Sequence, residues 1–191
     1  MKRIPDELAA KLDTIADDFL ADGPAGRMDA VAKAIDVPRA TLYYHFSGRD
    51  DLVTYFMSDK MARVEAVVQE ALSSSDAPLD RFAAALRAAA LELATKPAVC
   101  LNIMVAMGRA GAMDELMIAS DQRILAPLRN ALAEATAADG LAVTDLEVAV
   151  AAIMGGIYMA VVQQHARGVD IDAQALAETI VAQALDGVRH R

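Results

Sequence analysis

Tryptophan is absent from this chain of 191 residues, and cysteine occurs once, at Cys100. A lone cysteine excludes an intrachain disulfide. The start, MKRIPDELAAK, has no apolar stretch after its basic residues, so no secretory signal is expected and a reducing cytoplasm is. His45, His165 and His190 are scattered, with no cysteine or carboxylate at zinc-ligand spacing. There is no P-loop, no GxGxxG and no serine in a nucleophile elbow. Catalytic residues, a metal and a cofactor are therefore not expected, and an enzyme is disfavoured. The longest uncharged apolar run, residues 148–162, counts 15, against roughly 20 for a membrane span, so no membrane partner is expected.

Aromatics make up only 4% of the chain and β-branched runs are few, whereas alanine, leucine, methionine and glutamate abound. That composition predicts an all-α protein. Basic residues are also scarce: 18 against 27 acidic ones, a net charge of −9. Such a balance repels polyanions at long range. The deficit is uneven, however. Residues 1–60 carry a net −3, but residues 27–49 hold Arg27, Lys33, Arg39 and Arg49 against Asp29 and Asp36, a local +2.

Periodicity and punctuation predict about nine helices. Leu8, Leu12, Ile15 and Phe19 place a helix over residues 5–20, ended by Asp22-Gly23-Pro24. Helices over 28–34 and 38–46 flank a sharp turn in which Asp36 takes a near left-handed conformation, and Pro38 opens the second of them. Ser47 with Asp50 reads as a capping box for a long helix to residue 73. Further helices are expected over 78–95, 99–109, 114–138 with a kink at Pro127, 144–167 opened by a Thr144/Glu147 box, and 172–188. Two domains follow: a three-helix helix-turn-helix unit over 1–48 and a larger helical unit over 49–191.

In a helix-turn-helix the second helix of the pair enters the major groove while phosphate contacts fix its register. Over 38–46, Leu42 and Phe46 face inward, which leaves Arg39, Ala40, Thr41, Tyr43, Tyr44 and His45 for other work. Arg39 can present a bidentate fork to guanine, and the hydroxyls and imidazole can reach phosphate. Arg49, at the start of the next helix, adds its charge to that helix's N–H groups.

The segment DVPRATLYYHFSGRDDL resembles the signature of the TetR family of transcriptional regulators, specifically over residues 32–52. The resemblance implies base and phosphate contacts at Arg39, Ala40 and Thr41, aromatic and histidine contacts at Tyr43, Tyr44 and His45, and a phosphate contact at Arg49 in place of the usual lysine. Two features depart from the pattern: Gly26, Arg27 and Asp29 stand where a Ser/Thr cap and a polar or basic residue are usual, and Asp36 replaces the turn glycine. Asp29 is expected to repel a nearby phosphate, with Arg27 compensating.

The resemblance further implies a C-terminal ligand-binding and dimerisation region. Helices 144–167 and 172–188 carry apolar stripes that suit a homodimer, with Gly155-Gly156 permitting close approach. Asn102, Met104, Met107, Met117, Met154 and Tyr158 are candidate lining for a small, largely apolar effector, with Met113, Met159, Arg109 and Gln163 nearby in sequence. Cys100 reads as an inert core residue. The expected function is a homodimeric repressor that binds a near-palindromic DNA operator and is released by its effector. The alternative is a helical ligand- or partner-binding module without DNA binding.

Overall fold

A computed structural model describes residues 4–21, 27–107, 118–168 and 172–188. Every regular element among them is helical: α1 (Asp6–Asp13), α2 (Ala16–Ala21), α3 (Met28–Ala34), α4 (Arg39–His45), α5 (Arg49–Leu72), α6 (Pro78–Ala94), α7 (Pro97–Met107), α8 (Ala126–Asp139), α9 (Leu146–Ala166) and α10 (Ala173–Val188). The all-helical expectation holds. The stop at Asp22-Gly23-Pro24, the inner ends of the helices over 99–109 and 114–138, and most of the 168–170 turn lie outside the described residues.

The single helix expected over 5–20 is two. The chain breaks at Thr14 and Ile15, where the Thr14 hydroxyl donates to the Lys11 carbonyl at 2.7 Å and satisfies an end that α1 would otherwise leave open. The break keeps Leu8 and Leu12 on one axis and swings Ala16, Phe19 and Leu20 onto another, so both sets reach the core.

α6 is the central helix. It packs on α5, α8, α9 and α10. Its buried face is Phe82, Ala83, Ala85, Leu86, Ala89, Ala90, Leu93 and Ala94. The many alanines explain how one helix takes four neighbours, because small side chains let axes approach closely. α5 lies along it, and at their contact is the buried ammonium of Lys60. Lys60 is 2% exposed, and its Nζ donates to the Glu92 carbonyl oxygen, to Glu92 Oε1 at 3.0 Å and to Thr95 Oγ1 at 2.7 Å.

The kink expected at Pro127 takes another form. The chain makes a π-helical turn, Asp121–Leu125, just ahead of α8. Proline has no N–H to offer the carbonyl four residues back, that of Arg123. Gln69 on α5 supplies the missing donor, Nε2 to Arg123 O at 3.3 Å. Arg129 braces the same turn with a two-pronged contact to Asp121 at 2.8 and 3.2 Å. Gly140, at φ 65°, then ends α8 in the left-handed region that glycine favours.

Both expected capping boxes are shifted by one residue. Asp51, not Asp50, reaches back to the Ser47 N–H (2.8 Å), and Gly48 rather than Ser47 precedes α5. Asp145, not Thr144, caps α9 by accepting from the N–H groups of Glu147 and Val148. Pro38 likewise flanks α4 and does not open it.

α9 also revises the membrane argument. The 15-residue run understated it, since the helix extends to 21 residues with a mean hydropathy of 1.8 and is long and apolar enough to cross a bilayer by length and composition. Only 28% of its most apolar 18-residue stretch is buried.

Candidate nucleic-acid interface

The N-terminal helices share a core of Leu8, Leu12, Phe19, Met28, Val31, Ala32, Leu42 and Phe46, closed below by Leu52 and Phe56 of α5. Ile15 and Val37 contribute less, being only partly buried. The aromatic rings form a chain through this core: Phe19 meets Phe56 edge-on at 5.9 Å, Phe56 meets Tyr55 at 5.6 Å, and Tyr55 meets Phe46 at 5.5 Å. The start of α5 is thereby fixed to α2 and to the end of α4.

The α3–α4 turn depends on Asp36, which stands at φ 50° as expected. Val37 N–H returns to the Ala32 carbonyl at 3.0 Å and closes the turn. From there α4 buries Leu42 and Phe46 completely, and its geometry assigns the rest. Arg39 with Tyr43 and Ala40 with Tyr44 lie one turn apart on the outer side, with Tyr43 44% and Tyr44 62% exposed. Thr41 and His45 flank them, half-buried. The Tyr44 and His45 rings meet edge-on at 5.0 Å. Of the expected contact residues, these six therefore occupy one short helix, and Arg27 stands exposed at the flanking position of α3.

Arg49 is placed differently. It begins α5 and is half-buried, with its guanidinium carbon 5.1 Å from the centre of the Phe19 ring. Part of its role is thus to hold α2 against α5. Its charge still lies in the first turn of α5, where helix N–H groups favour an anion. Beside it, Asp51 is held below the usual carboxylate range by hydrogen bonds from the Ser47 side chain and backbone. Tyr43, Tyr44, His45, Phe46, Ser47, Asp51 and Thr54 line an open recess between α4 and α5.

Asp29 is the main surprise at this surface. The charge expected to compensate it is that of Arg27. Instead its Oδ1 lies 2.8 Å from Nε of Arg39, a close ion pair without an aligned hydrogen bond. Arg39 also rests over the Tyr43 ring, 5.2 Å from its centre. The three residues come from two helices and are ten and four positions apart, so no local sequence pattern announces them.

Some carboxylates of the acidic first helices are engaged by other groups. Asp13 pairs with Arg63 of α5 (2.9 Å) and with Lys96 (3.6 Å), and Glu7 pairs with Lys11 (3.5 Å). Burial against the start of α7 pushes the Asp17 carboxyl up, while Lys96 and the backbone of Val99 and Ala98 pull it back.

The candidate effector residues are less concentrated. Met154 is buried, and Tyr158 donates its hydroxyl to Met61 Sδ at 3.5 Å. Asn102 spends an amide donor on its own helix, at Ala98 O (2.9 Å). The side chains of Met104 and Met107, and all of Arg109, Met113 and Met117, lie outside the described residues. Cys100 is fully buried, its thiol pushed up to about 12 by burial. Among the described residues no group of histidine, cysteine and carboxylates could hold a metal.

Residues 19–56 match the model of the bacterial regulatory proteins of the tetR family, the span that contains α3, α4 and the α4–α5 recess. The helix-turn-helix is of the TetR type. Solved structures extend the likeness in fold along nearly the whole chain. The regulator FadR from Bacillus subtilis, in complex with stearoyl-CoA, has a TM-score of 0.76 at 16% identity and covers 95% of this chain and 100% of its own. The TetR-family regulator PfmR from Thermus thermophilus has a TM-score of 0.73 at 17% identity, covering 98% and 100%. AibR, in complex with isovaleryl coenzyme A and operator DNA, has a TM-score of 0.68 at 19% identity, covering 93% and 97%. No curated protein matches in sequence. At these identities the structures establish a shared fold, and the sequence match is confined to the TetR-type segment.

Proposed function

We propose that this chain is a cytoplasmic transcriptional repressor without enzymatic activity, which binds a near-palindromic operator as a homodimer. The observation that carries the reading is α4. It buries Leu42 and Phe46 and turns Arg39, Ala40, Tyr43 and Tyr44 outward within a TetR-type helix-turn-helix. The operator-bound AibR structure shares the fold. Residues 1–48 form the reading head, with Arg27, Thr41, His45 and Arg49 joining the contacts, and residues 49–191 serve effector binding and dimerisation.

Dimerisation is supported by what α9 leaves uncovered. Val148, Ala152, Gly155, Gly156 and Met159 form an exposed strip of apolar and small residues. Beside it, Ile153 of α9 and Ile180 and Ala184 of α10 help line an open groove of about 500 Å³. Glycines at such a strip let a partner helix approach closely. A second copy presenting the same pair of helices would build a four-helix interface, and this use of α9 accounts for its apolar length without a bilayer. Two heads would then meet major grooves about 34–36 Å apart.

The effector is a small, largely apolar molecule. Two proteins of the same fold hold acyl-CoA ligands, so an acyl chain is the first class to test. Release requires only that the ligand bind the two dimer geometries with different affinity. Selection from random duplexes by the purified protein tests DNA binding. The expected outcome is a two-fold symmetric site whose affinity falls steeply with salt, with Arg49→Ala reducing the log–log slope by about one unit. The net −3 of residues 1–60 favours a second reading, a ligand- or partner-binding module without DNA binding. Failure to enrich any sequence at low salt would establish it over the first.

A further inference from the structure

We infer that Asp29 positions Arg39 for base recognition, so that an acidic residue at the DNA surface serves specificity. The inference rests on the proposed operator binding. Its basis is the placement of three side chains. Oδ1 of Asp29, in the first turn of α3, lies 2.8 Å from Nε of Arg39, the first residue of α4. The guanidinium sits over the Tyr43 ring at 5.2 Å.

A guanidinium offers five N–H donors in a rigid plane. Asp29 lies against the Nε side as a charge, without an aligned hydrogen bond. The two terminal nitrogens keep the parallel pair of donors that matches O6 and N7 of guanine. Tyr43, one helical turn along, sets the tilt of the plane. Without these supports the arginine has four freely turning side-chain bonds, and ordering them on DNA would weaken the contact. Stability is not what the pair supplies. Both side chains are well exposed, 64% for Arg39 and 42% for Asp29, and exposed ion pairs contribute little to folding. What remains is orientation, at the position in α4 closest to the turn.

The carboxylate also makes the contact selective. Close to phosphate it is repulsive, so it weakens binding to DNA of any sequence. Paired with Arg39, it leaves this spot with little net attraction for phosphate, so binding there depends on the guanidinium meeting a base edge in the right plane. Asp29 therefore lowers general affinity and raises the difference between right and wrong sequences, the two together widening discrimination.

The test uses the full-length protein and compares Asp29→Ala, Asp29→Asn and Arg39→Ala on the selected operator, on single-base variants of it and on an unrelated duplex. Asp29→Ala is expected to reduce the preference at one base pair per half-site by about five- to tenfold, within what a single bidentate contact supplies. Affinity for the unrelated duplex should hold or rise. Asp29→Asn, which keeps the shape but removes the charge that attracts the guanidinium, should lose most of the preference as well. In an Arg39→Ala background, Asp29→Ala should leave base preference unchanged. Thermal melts of the variants separate these effects from loss of the α3 fold. If Asp29→Ala tightens binding to every duplex by the same factor, Asp29 is only a repelling charge and the inference fails. If the wild-type protein prefers no sequence, the operator-binding reading itself fails, whatever stands at position 29.

Discussion

Replacing Glu92 by alanine should destabilise the protein far more than replacing Lys60 by methionine, although both changes break the same ion pair. The asymmetry follows from burial. The Lys60 side chain is 2% exposed and that of Glu92 is 19% exposed. In Glu92→Ala the ammonium keeps only two neutral acceptors, the residue 92 carbonyl and Thr95 Oγ1 at 2.7 Å. Removing one partner of a fully buried pair costs about 3–5 kcal/mol, and the partial exposure of Glu92 reduces this to about 2–3 kcal/mol. In Lys60→Met the charge that needs compensation is gone, methionine fills a similar volume, and water reaches the remaining carboxylate. That change should cost less than about 1 kcal/mol. In the Lys60→Met background, Glu92→Ala should then be nearly silent, a coupling of about 2 kcal/mol. Urea titration at fixed protein concentration and pH 7 reads all four proteins. For a chain of this length the Glu92→Ala deficit corresponds to a fall in Tm of about 4–12 °C. Equal losses in the two single variants, or additive losses in the double one, would refute the claim that burial of the lysine sets the cost.

Two further outcomes test other parts of the structure. Gly156→Leu should leave the monomer fold intact, because a Cβ there meets nothing within 4 Å. It should nevertheless shift the chain toward monomer in size-exclusion chromatography with light scattering, and an unchanged dimer would remove α9 from the interface. Asp51 is held below its usual value of 3.8 by the Ser47 hydrogen bonds, so it stabilises the fold above that value and the contribution is lost as pH falls through the lowered one. Asp51→Ala should accordingly be less stable than wild type at pH 7 and converge with it as pH falls through the lowered value of the Asp51 carboxyl; a gap that persists in strong acid would show that the loss is not electrostatic.

Most helices were legible in the sequence because their signals are local. Pro78 and Pro97 open α6 and α7, Gly140 ends α8, and the spacing of Leu42 and Phe46 fixes the inward face of α4. Asp36 could be read as the left-handed turn residue for the same reason. What escaped depends on contacts across the fold. Choosing between Asp50 and Asp51, or between Thr144 and Asp145, requires the backbone path into the helix, which neighbouring letters do not specify. The π turn before Pro127 needs Gln69, 54 residues before Arg123, to satisfy the Arg123 carbonyl. Lys60 looks like any surface lysine in α5, and only the arrival of Glu92 and Thr95 makes its burial tolerable. The Asp29–Arg39 pair crosses the helix-turn-helix turn and so falls outside any single helical period.

The same distinction bears on how an acidic chain would present the proposed DNA-binding surface. A count along the sequence gives residues 1–60 a net −3. A count in space must add Arg63 and Lys96, which pair with Asp13, and Glu92, which pairs with Lys60, and this brings the segment to −2. The remaining carboxylates are not equivalent either. Asp17 is turned against α7, Asp51 accepts from Ser47, and Asp29 faces Arg39. At physiological ionic strength charges are screened beyond roughly 8 Å, so the distant acidic body contributes little once α4 is in a groove. Its effect falls mainly on the approach. On the proposed operator binding, such a protein would gain few contacts from general attraction to phosphate, and its affinity would come from α4 itself, used twice in the proposed dimer. The acidity of the chain and the placement of Arg39 are then parts of one arrangement, in which weak attraction to DNA in general leaves discrimination to a small number of oriented side chains.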